Sequence, residues 1–111
     1  MQPTQFTVIG TDGTEQTLAV PLPEYPTYLQ LEAVIAPILG ERNYFERVAV
    51  LHDNQRTDMF VDENGAIKGL PSNERATAIY RHNALVRYPH TDPESLPAIY
   101  GTAVLFSRPV C

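Results

Sequence analysis

The chain has almost none of the residues and runs that disulfide frameworks, membrane spans and secretory signals require. Its 111 residues include one cysteine, Cys111, and no tryptophan, so no disulfide can form within the chain. No apolar run approaches the roughly 20 residues that cross a bilayer. No basic segment followed by an apolar stretch marks a secretory signal. We therefore expect a soluble, cytoplasmic protein with no membrane partner.

Basic residues are scarce in the half of the chain that carries most of the acids. Residues 1–55 contain seven acids and two bases, a balance of −5, whereas residues 56–111 contain six of each. Binding to nucleic acid phosphates needs a basic stripe, so the charge balance argues against nucleic acid as a partner. The acidic half could meet a basic protein, or it could simply be a solvated surface.

The motifs of common enzymes and cofactor sites are missing as well. The sequence contains no nucleophile elbow, phosphate-binding glycine loop or dinucleotide fingerprint. Its three histidines are not spaced as zinc ligands, which come in sets of about four. The thiol of Cys111, expected to be exposed at a free chain end, has no positioned base. We expect no enzymatic activity, no metal and no cofactor.

What the sequence does contain is a regular series of strands and helices in one domain, residues 1–111. The order β-β-α-β-β-(β)-α-β predicts an α+β fold with a mostly antiparallel sheet of about five strands and two helices. Helices are expected over 27–39 and from about residue 73. Strands are expected over 6–10, 16–20, 48–52, 57–61 and 99–106, with a further short strand over 66–68.

Particular residues predict how the helices begin and where the chain turns. Thr27, with Gln30 three residues later, predicts a capping box at the first helix. Ser72 or Asn73 is expected to cap the second helix. Gly65 lies in the turn before it and is expected to adopt a positive φ, which side chains disfavour.

Two stretches supply a candidate ligand- or partner-binding site. Helix N-termini attract anions, which favours the start of the second helix. Each residue there also has a structural explanation, as a cap, a dipole-favoured acid or an exposed base. The second stretch is the proline-rich loop 88–98. The candidate residues are Asn73, Glu74, Arg75, Tyr88, His90, Asp92 and Glu94.

The segment Val61 to Tyr80 (VDENGAIKGLPSNERATAIY), with Ile99 to Val104 (IYGTAV), resembles a family of small domains of unknown function. These domains occur in bacteriophages, plasmids and other mobile elements. The resemblance covers most of the chain, including the helix from Tyr28 to Leu39. The family has no established activity, so no residue inherits a catalytic role. The loop 88–98 is longer than in the family and is a candidate for a function particular to this protein.

The resemblance implies a non-enzymatic accessory protein of a mobile element that binds a host or element protein. Inhibition of a host defence system, such as CRISPR or restriction, is one such role, by analogy of genome context. One alternative is a small nucleotide- or nucleic-acid-binding module that uses the second helix and its nearby tyrosines and arginines. Another is a structural or assembly protein whose edge strand pairs between subunits. The chain is expected to be a monomer or a homodimer.

Overall fold

A computed structural model describes residues 2–40 and 44–111, which form an antiparallel sheet of five strands and two helices. The α+β fold is therefore confirmed. Glu41 and Arg42, which enter the charge balance of the first half, lie outside the described residues. The elements in chain order are β1 (Gln2–Ile9), β2 (Glu15–Leu22), α1 (Tyr28–Leu39), β3 (Phe45–His52), β4 (Gln55–Asp62), α2 (Glu74–Arg87), a 3₁₀ turn (Pro93–Ser95) and β5 (Ala103–Phe106).

The sheet joins two hairpins through the strand that comes last in the described chain. Its order is β2-β1-β5-β4-β3, and every neighbouring pair is antiparallel. β5 contributes only four residues, and all four are buried. Because β5 pairs with β1 on one side and β4 on the other, it bonds the two hairpins into one sheet.

The turn of each hairpin follows from residues that accept unusual backbone angles. The Asp-Gly pair at residues 12 and 13 predicts a two-residue turn between β1 and β2. Gly13 does adopt a positive φ, 89°, but the bond from Gly10 N to Thr14 O leaves three residues in the loop. β3 and β4 are joined by Asp53 and Asn54 alone, with φ values of 52° and 62°. The expected four-residue linker is therefore wrong, because short polar side chains tolerate the left-handed region and permit a two-residue turn.

Each helix covers one face of the sheet. Alternate residues of a strand point to opposite faces, so β4 sends Phe60 towards α1 and its neighbours Met59 and Val61 towards α2. The α1 side contains an aromatic core in which Phe60 makes edge-on contacts with Phe45 and Phe106, each at 5.7 Å between ring centres. The molecule thus has three layers, helix, sheet and helix.

The beginning and end of α1 are those that the sequence predicts. The amide of Gln30 donates to Thr27 Oγ1 at 3.2 Å, and the amide of Thr27 donates to Gln30 Oε1 at 2.9 Å. This reciprocal pair is a capping box. Gly40 ends the helix with a φ of 79°, the left-handed geometry that glycine accepts without strain.

Asn73 fastens the start of α2 to the sheet. Its Oδ1 accepts from the amide of Ala76 at 3.0 Å, which is the predicted cap. Its Nδ2 donates to the carbonyl oxygens of Ile9, at 3.0 Å, and Gly101, at 2.9 Å. The side chain is fully buried. One amide group therefore caps α2 and also ties it to the end of β1 and the approach to β5.

Three local expectations are wrong. Residues 66–68 form turns instead of a strand, and the strand expected over 99–106 begins only at Ala103, after a single bridge between Ser72 and Tyr100. Pro21 lies inside β2 although proline usually stops a strand, because it faces Pro3 and neither residue has an amide N–H to leave unpaired.

Gly65 does not adopt the predicted positive φ, and Gly69, at 71°, does so instead. Gly65 is required for a different reason. A Cβ atom there would lie 2.5 Å from the carbonyl oxygen of Tyr100. The turn after β4 therefore packs directly on the backbone that leads into β5.

Cys111 is exposed, as the sequence predicts, but the backbone of the last two residues is bound to the sheet. The amides of Val110 and Cys111 donate to Asp58 Oδ2 at 2.8 and 3.0 Å. The other Asp58 oxygen accepts from Arg47 Nε at 2.8 Å, and this pairing raises the pKa of Arg47. Burial raises the pKa of the Cys111 thiol, and the charge of Asp58 raises it further.

We predict that Gly65→Ala destabilises the fold more than Gly69→Ala does. The first change forces a methyl group against backbone and should cost about 2–3 kcal/mol. At Gly69 a methyl group would meet no other atom within 4 Å, so only the left-handed φ is unfavourable, and the expected loss of stability is about 1 kcal/mol. Urea unfolding of both variants measures the difference. Equal losses, or a larger loss at Gly69, would show that contact with Tyr100 is not the constraint.

We also predict that Asn73→Asp is as destabilising as Asn73→Ala, each by about 3 kcal/mol or more. Asp is as good a cap as Asn, but it cannot donate to the buried carbonyls of Ile9 and Gly101, which would lose their partner. Chemical denaturation is the measurement, with Ser72→Ala as the exposed neighbour that should change little. If Asn73→Asp is as stable as the wild-type chain, the bonds to Ile9 and Gly101 contribute little and Asn73 acts only as a helix cap.

Candidate functional site

The predicted binding residues lie in two places that the fold does not bring together. Asn73, Glu74 and Arg75 are at the start of α2, whereas Tyr88 caps its far end and His90, Asp92 and Glu94 follow in the loop. A helix of 14 residues is about 21 Å long. The seven residues therefore do not line one pocket.

At the start of α2, only two of the three predicted residues can meet a ligand. Asn73 is buried and its amide is occupied by the internal bonds described above. Glu74 and Arg75 are exposed, and Arg75 Nε lies 3.8 Å from Glu15 Oε2, with both side chains about half exposed. Whether this end of α2 binds an anion remains a prediction.

The loop beyond α2 is built from its own polar groups. Asp92 Oδ1 accepts from the amide of Glu94 at 3.0 Å and so caps the 3₁₀ turn. Tyr88 is exposed, and the guanidinium of Arg87 lies 5.9 Å from the centre of its ring. His90 is exposed as well. These contacts explain the order of the loop without a ligand.

A larger feature, which the sequence analysis did not select, is the outward side of α1. Among its twelve residues only Glu32 is charged. Tyr28 is 53% exposed and Leu29 is 72% exposed. We call the outward-facing set the α1 surface, which consists of the exposed residues Tyr25, Tyr28, Leu29, Ala33 and Pro37 and the half-buried Glu32.

Helices on protein surfaces usually turn many polar side chains outwards, whereas α1 does so at Gln30 and Glu32 and otherwise exposes mainly apolar residues and Tyr28. On its inner side Leu31 and Ile35 are buried in the core. Packing therefore explains the apolar residues of the inner side but not those of the outer side. The outer half forms one wall of an open groove of about 450 Å³ between Leu29 and Gly40. Exposed apolar surfaces of this kind mark interaction sites.

Among the described residues that line the groove, Glu32 is the charged one. Its Oε2 atom is inaccessible to solvent and has no hydrogen-bond partner among residues 2–40 and 44–111. A buried carboxylate oxygen without a partner is costly, because it has lost water and gained nothing. Glu32 as a whole is half-buried and lines the groove, so it places a carboxylate beside any molecule bound there.

Tyr28 connects this surface to the core. Its ring stacks on Phe45, 5.7 Å between centres and 12° between planes. Loss of solvent around the ring raises the pKa of Tyr28, and the negative charge of Glu32 raises it further. The neutral phenol is thus the favoured form beside the carboxylate.

A second group of polar residues lies on the opposite face of the sheet, beside α2. The hydroxyls of Thr7 and Thr17 are 3.2 Å apart, and His52 Nε2 lies 3.6 Å from Asp53 Oδ2. These residues border an open groove of about 290 Å³, and His52 and Asp53 also border a neighbouring groove with Arg75 and His82. We call this pair of depressions the β3–β4 grooves.

Neither region contains a metal site or a membrane element within the described part of the chain. No group of three or more histidine, cysteine, aspartate or glutamate side chains converges in residues 2–40 and 44–111. No helix in those ranges is long and apolar enough to cross a membrane.

Comparison of this chain with protein families, with curated proteins and with solved structures gives no match. The likeness of Val61 to Tyr80 to a mobile-element family therefore remains a prediction from the sequence. What the structure adds for that segment is its shape, since it contains the end of β4, the turn at Gly65 and the first half of α2.

The sequence did carry a signal for the α1 surface. The run from Tyr28 to Leu39 has a single charge, whereas a helix with one buried side should have several polar outer positions. The β3–β4 grooves had no comparable signal, because Thr7, Thr17 and His52 come from three strands that only the sheet brings together.

We predict that Glu32→Gln lowers the pKa of Tyr28 towards the usual value of about 10, because it removes a negative charge beside the phenol. Absorbance titration at alkaline pH, with Tyr28→Phe to assign the group, measures the shift. Folded and unfolded Tyr28 are both neutral below pH about 10. Above that value the folded state holds the proton longer, so stability should fall as pH rises. An unchanged titration would show that Glu32 lies too far from the phenol to act on it.

Proposed function

We propose that this chain is a non-enzymatic accessory protein of a phage or other mobile element, and that it binds a host or element protein through its α1 surface. The observation that carries the proposal is the exposed apolar side of a helix whose other side already lies in the core. The resemblance of Val61 to Tyr80 supplies the biological setting, in which a host defence complex such as CRISPR or restriction is the partner.

The composition of the α1 surface supports a protein as the occupant. Tyrosine gives large contact area with few side-chain rotations to fix, and it is enriched where proteins bind each other. Tyr25, which is 84% exposed, and Tyr28 stand at the beginning of α1, next to Leu29. Phe45 supports the Tyr28 ring from below, so one part of this surface is held in place before a partner arrives.

The partner should present a lysine, an arginine or a backbone amide to Glu32. That carboxylate is half-buried and lines the groove, and the apolar groups around it would exclude water from the contact. Charge-assisted hydrogen bonds in such places are about twice as strong as neutral ones. The acidic balance of residues 1–55 also favours approach of a basic surface.

We predict that Leu29→Asp and Glu32→Lys each abolish or strongly weaken capture of a stoichiometric partner by the tagged chain from a bacterial lysate. Loss of one central apolar contact should weaken binding at least about tenfold, equivalent to about 1.4 kcal/mol. Quantitative mass spectrometry of the retained proteins is the measurement.

The matched control is Val86→Asp, which places the same charge on an apolar residue of α2 that is 52% exposed. It should retain the partner. A partner that survives both α1 variants, or that Val86→Asp releases equally, would contradict the α1 surface as the binding site.

The β3–β4 grooves favour a second candidate function, a small-ligand-binding module. Their lining offers hydroxyls, an amide, His52 and the guanidinium of Arg75. A thermal-shift screen with nucleotides and other small anions tests this function. Stabilisation that His52→Ala and Arg75→Ala remove, and that Leu29→Asp preserves, would favour it over the α1 proposal.

A further inference from the structure

The sheet has two open edges, and the fold protects one of them. Edge strands present unpaired N–H and C=O groups to which another chain can add. On β3 the carbonyl of Ala49 points away from β4, and Asn83 Nδ2 of α2 donates to it at 3.1 Å. β3 also carries the charges of Glu46 and Arg47. A side chain of the fold thus occupies the middle of this edge.

Within residues 2–40 and 44–111, no side chain covers the edge of β2 in this way. Antiparallel pairs alternate between those that exchange backbone hydrogen bonds and those that do not. Pro3 faces Pro21 and neither has an N–H, so this pair is of the second kind. At the other end of the ladder, Gly10 N donates to Thr14 O at 2.8 Å, so these two residues form a hydrogen-bonded pair. Alternation from that pair along the register also makes Pro3 and Pro21 a pair without backbone hydrogen bonds. The outward backbone groups of β2 are therefore those of residues 15, 17, 19 and 21.

No hydrogen bond among the described residues reaches those outward groups. From Gln16 to Leu22 the strand has no charge, and most of its side chains are exposed, including Leu18 at 38%. Two features restrict the edge, the charge of Glu15 at one end and the missing N–H of Pro21 near the other. Natural sheets usually guard an edge more heavily than this.

We propose that β2 pairs antiparallel with β2 of a second copy of this chain, about a two-fold axis that passes beside Leu18. In this register Thr17 lies opposite Ala19 of the partner subunit, and the two exchange a pair of hydrogen bonds on each side of the axis. Glu15 donates its N–H to the carbonyl of Pro21 of the partner subunit. The proline therefore takes part in the pairing through its carbonyl, although it has no N–H to donate. The sheets of the two copies become continuous.

Side chains favour this register over its neighbour. It places Leu18 directly opposite Leu18 of the partner subunit, in the kind of pair whose Cα atoms are only about 4.5 Å apart, so the exposed leucine is buried against its own copy. The register centred on Thr17 would instead place Leu18 opposite Gln16. In the chosen register Glu15 faces a proline. Like charges directly opposite each other would destabilise the pairing, and this register places none there.

The dimer would present both α1 surfaces on one side of the sheet. Leu18 lies opposite Phe6 in the ladder, and Phe6 belongs to the core beneath α1. Because both copies of Leu18 point to that face, the axis is perpendicular to the sheet and both copies of α1 share a side. The inference does not depend on the proposed function. If the α1 surface is the binding site, a dimeric partner could contact both copies at once and bind with higher overall affinity than through one.

Sedimentation velocity over roughly 5–500 µM tests the proposal, a range suited to a small interface. We expect a concentration-dependent dimer in the wild-type chain and monomer in Leu18→Lys, in which two like charges would face each other. Val86→Lys, the same change on α2, should still dimerise. Circular dichroism and thermal midpoints show whether each variant is folded.

Mixing Leu18→Lys with Leu18→Glu provides the sharper measurement. Opposite charges would then face each other only in the register centred on Leu18, so the mixture should form a heterodimer although Leu18→Lys alone remains monomeric. A wild-type chain that is monomeric at every concentration, or a dimer unaffected by Leu18→Lys, would overturn the proposal. Failure of the mixture to associate would overturn the register.

Discussion

The side-chain amide of Asn73 holds together parts of the molecule that lie far apart in the chain. It caps α2, and it also donates to the ends of two neighbouring strands through Ile9 and Gly101. The amide of Asn73 itself donates to Ile99 at 2.7 Å, and Gly101 donates to Pro71 at 2.8 Å. Because these groups are buried, each needs its partner, so the position of α2 and the path into β5 are fixed together.

β5 depends on that junction, and the sheet depends on β5. Its four residues lie between the two hairpins, which otherwise have no strand in common. The contact of Gly65 with Tyr100 and the bond from Ile99 N to Thr77 Oγ1, 2.8 Å, steer the chain into this central position. The segment Val61 to Tyr80 is therefore the part of the sequence that closes the sheet, which gives its dense pattern of turn and cap residues a structural cause.

The same arrangement leaves particular surfaces for function. α2 uses its inner side on the core and Asn83 on the β3 edge, so that half of the molecule is largely satisfied by internal contacts. The opposite half is different. There α1 exposes apolar side chains, Glu32 places a carboxylate in the groove beside them, and β2 has an open edge. Binding, on this view, concentrates on the half of the chain that is poor in basic residues.

Local chemistry by itself determined the two helices, their caps and the strands of the two hairpins. Thr27 with Gln30, Asn73 and the Asp-Gly turn act on neighbours within about four residues, so their effect can be derived from sequence. The conformation of Gly65 could not, because its constraint is the carbonyl of Tyr100, 35 positions away. The place of β5, the grooves beside His52 and the open edge of β2 likewise arise from contacts between distant segments, and only the tertiary structure decided them.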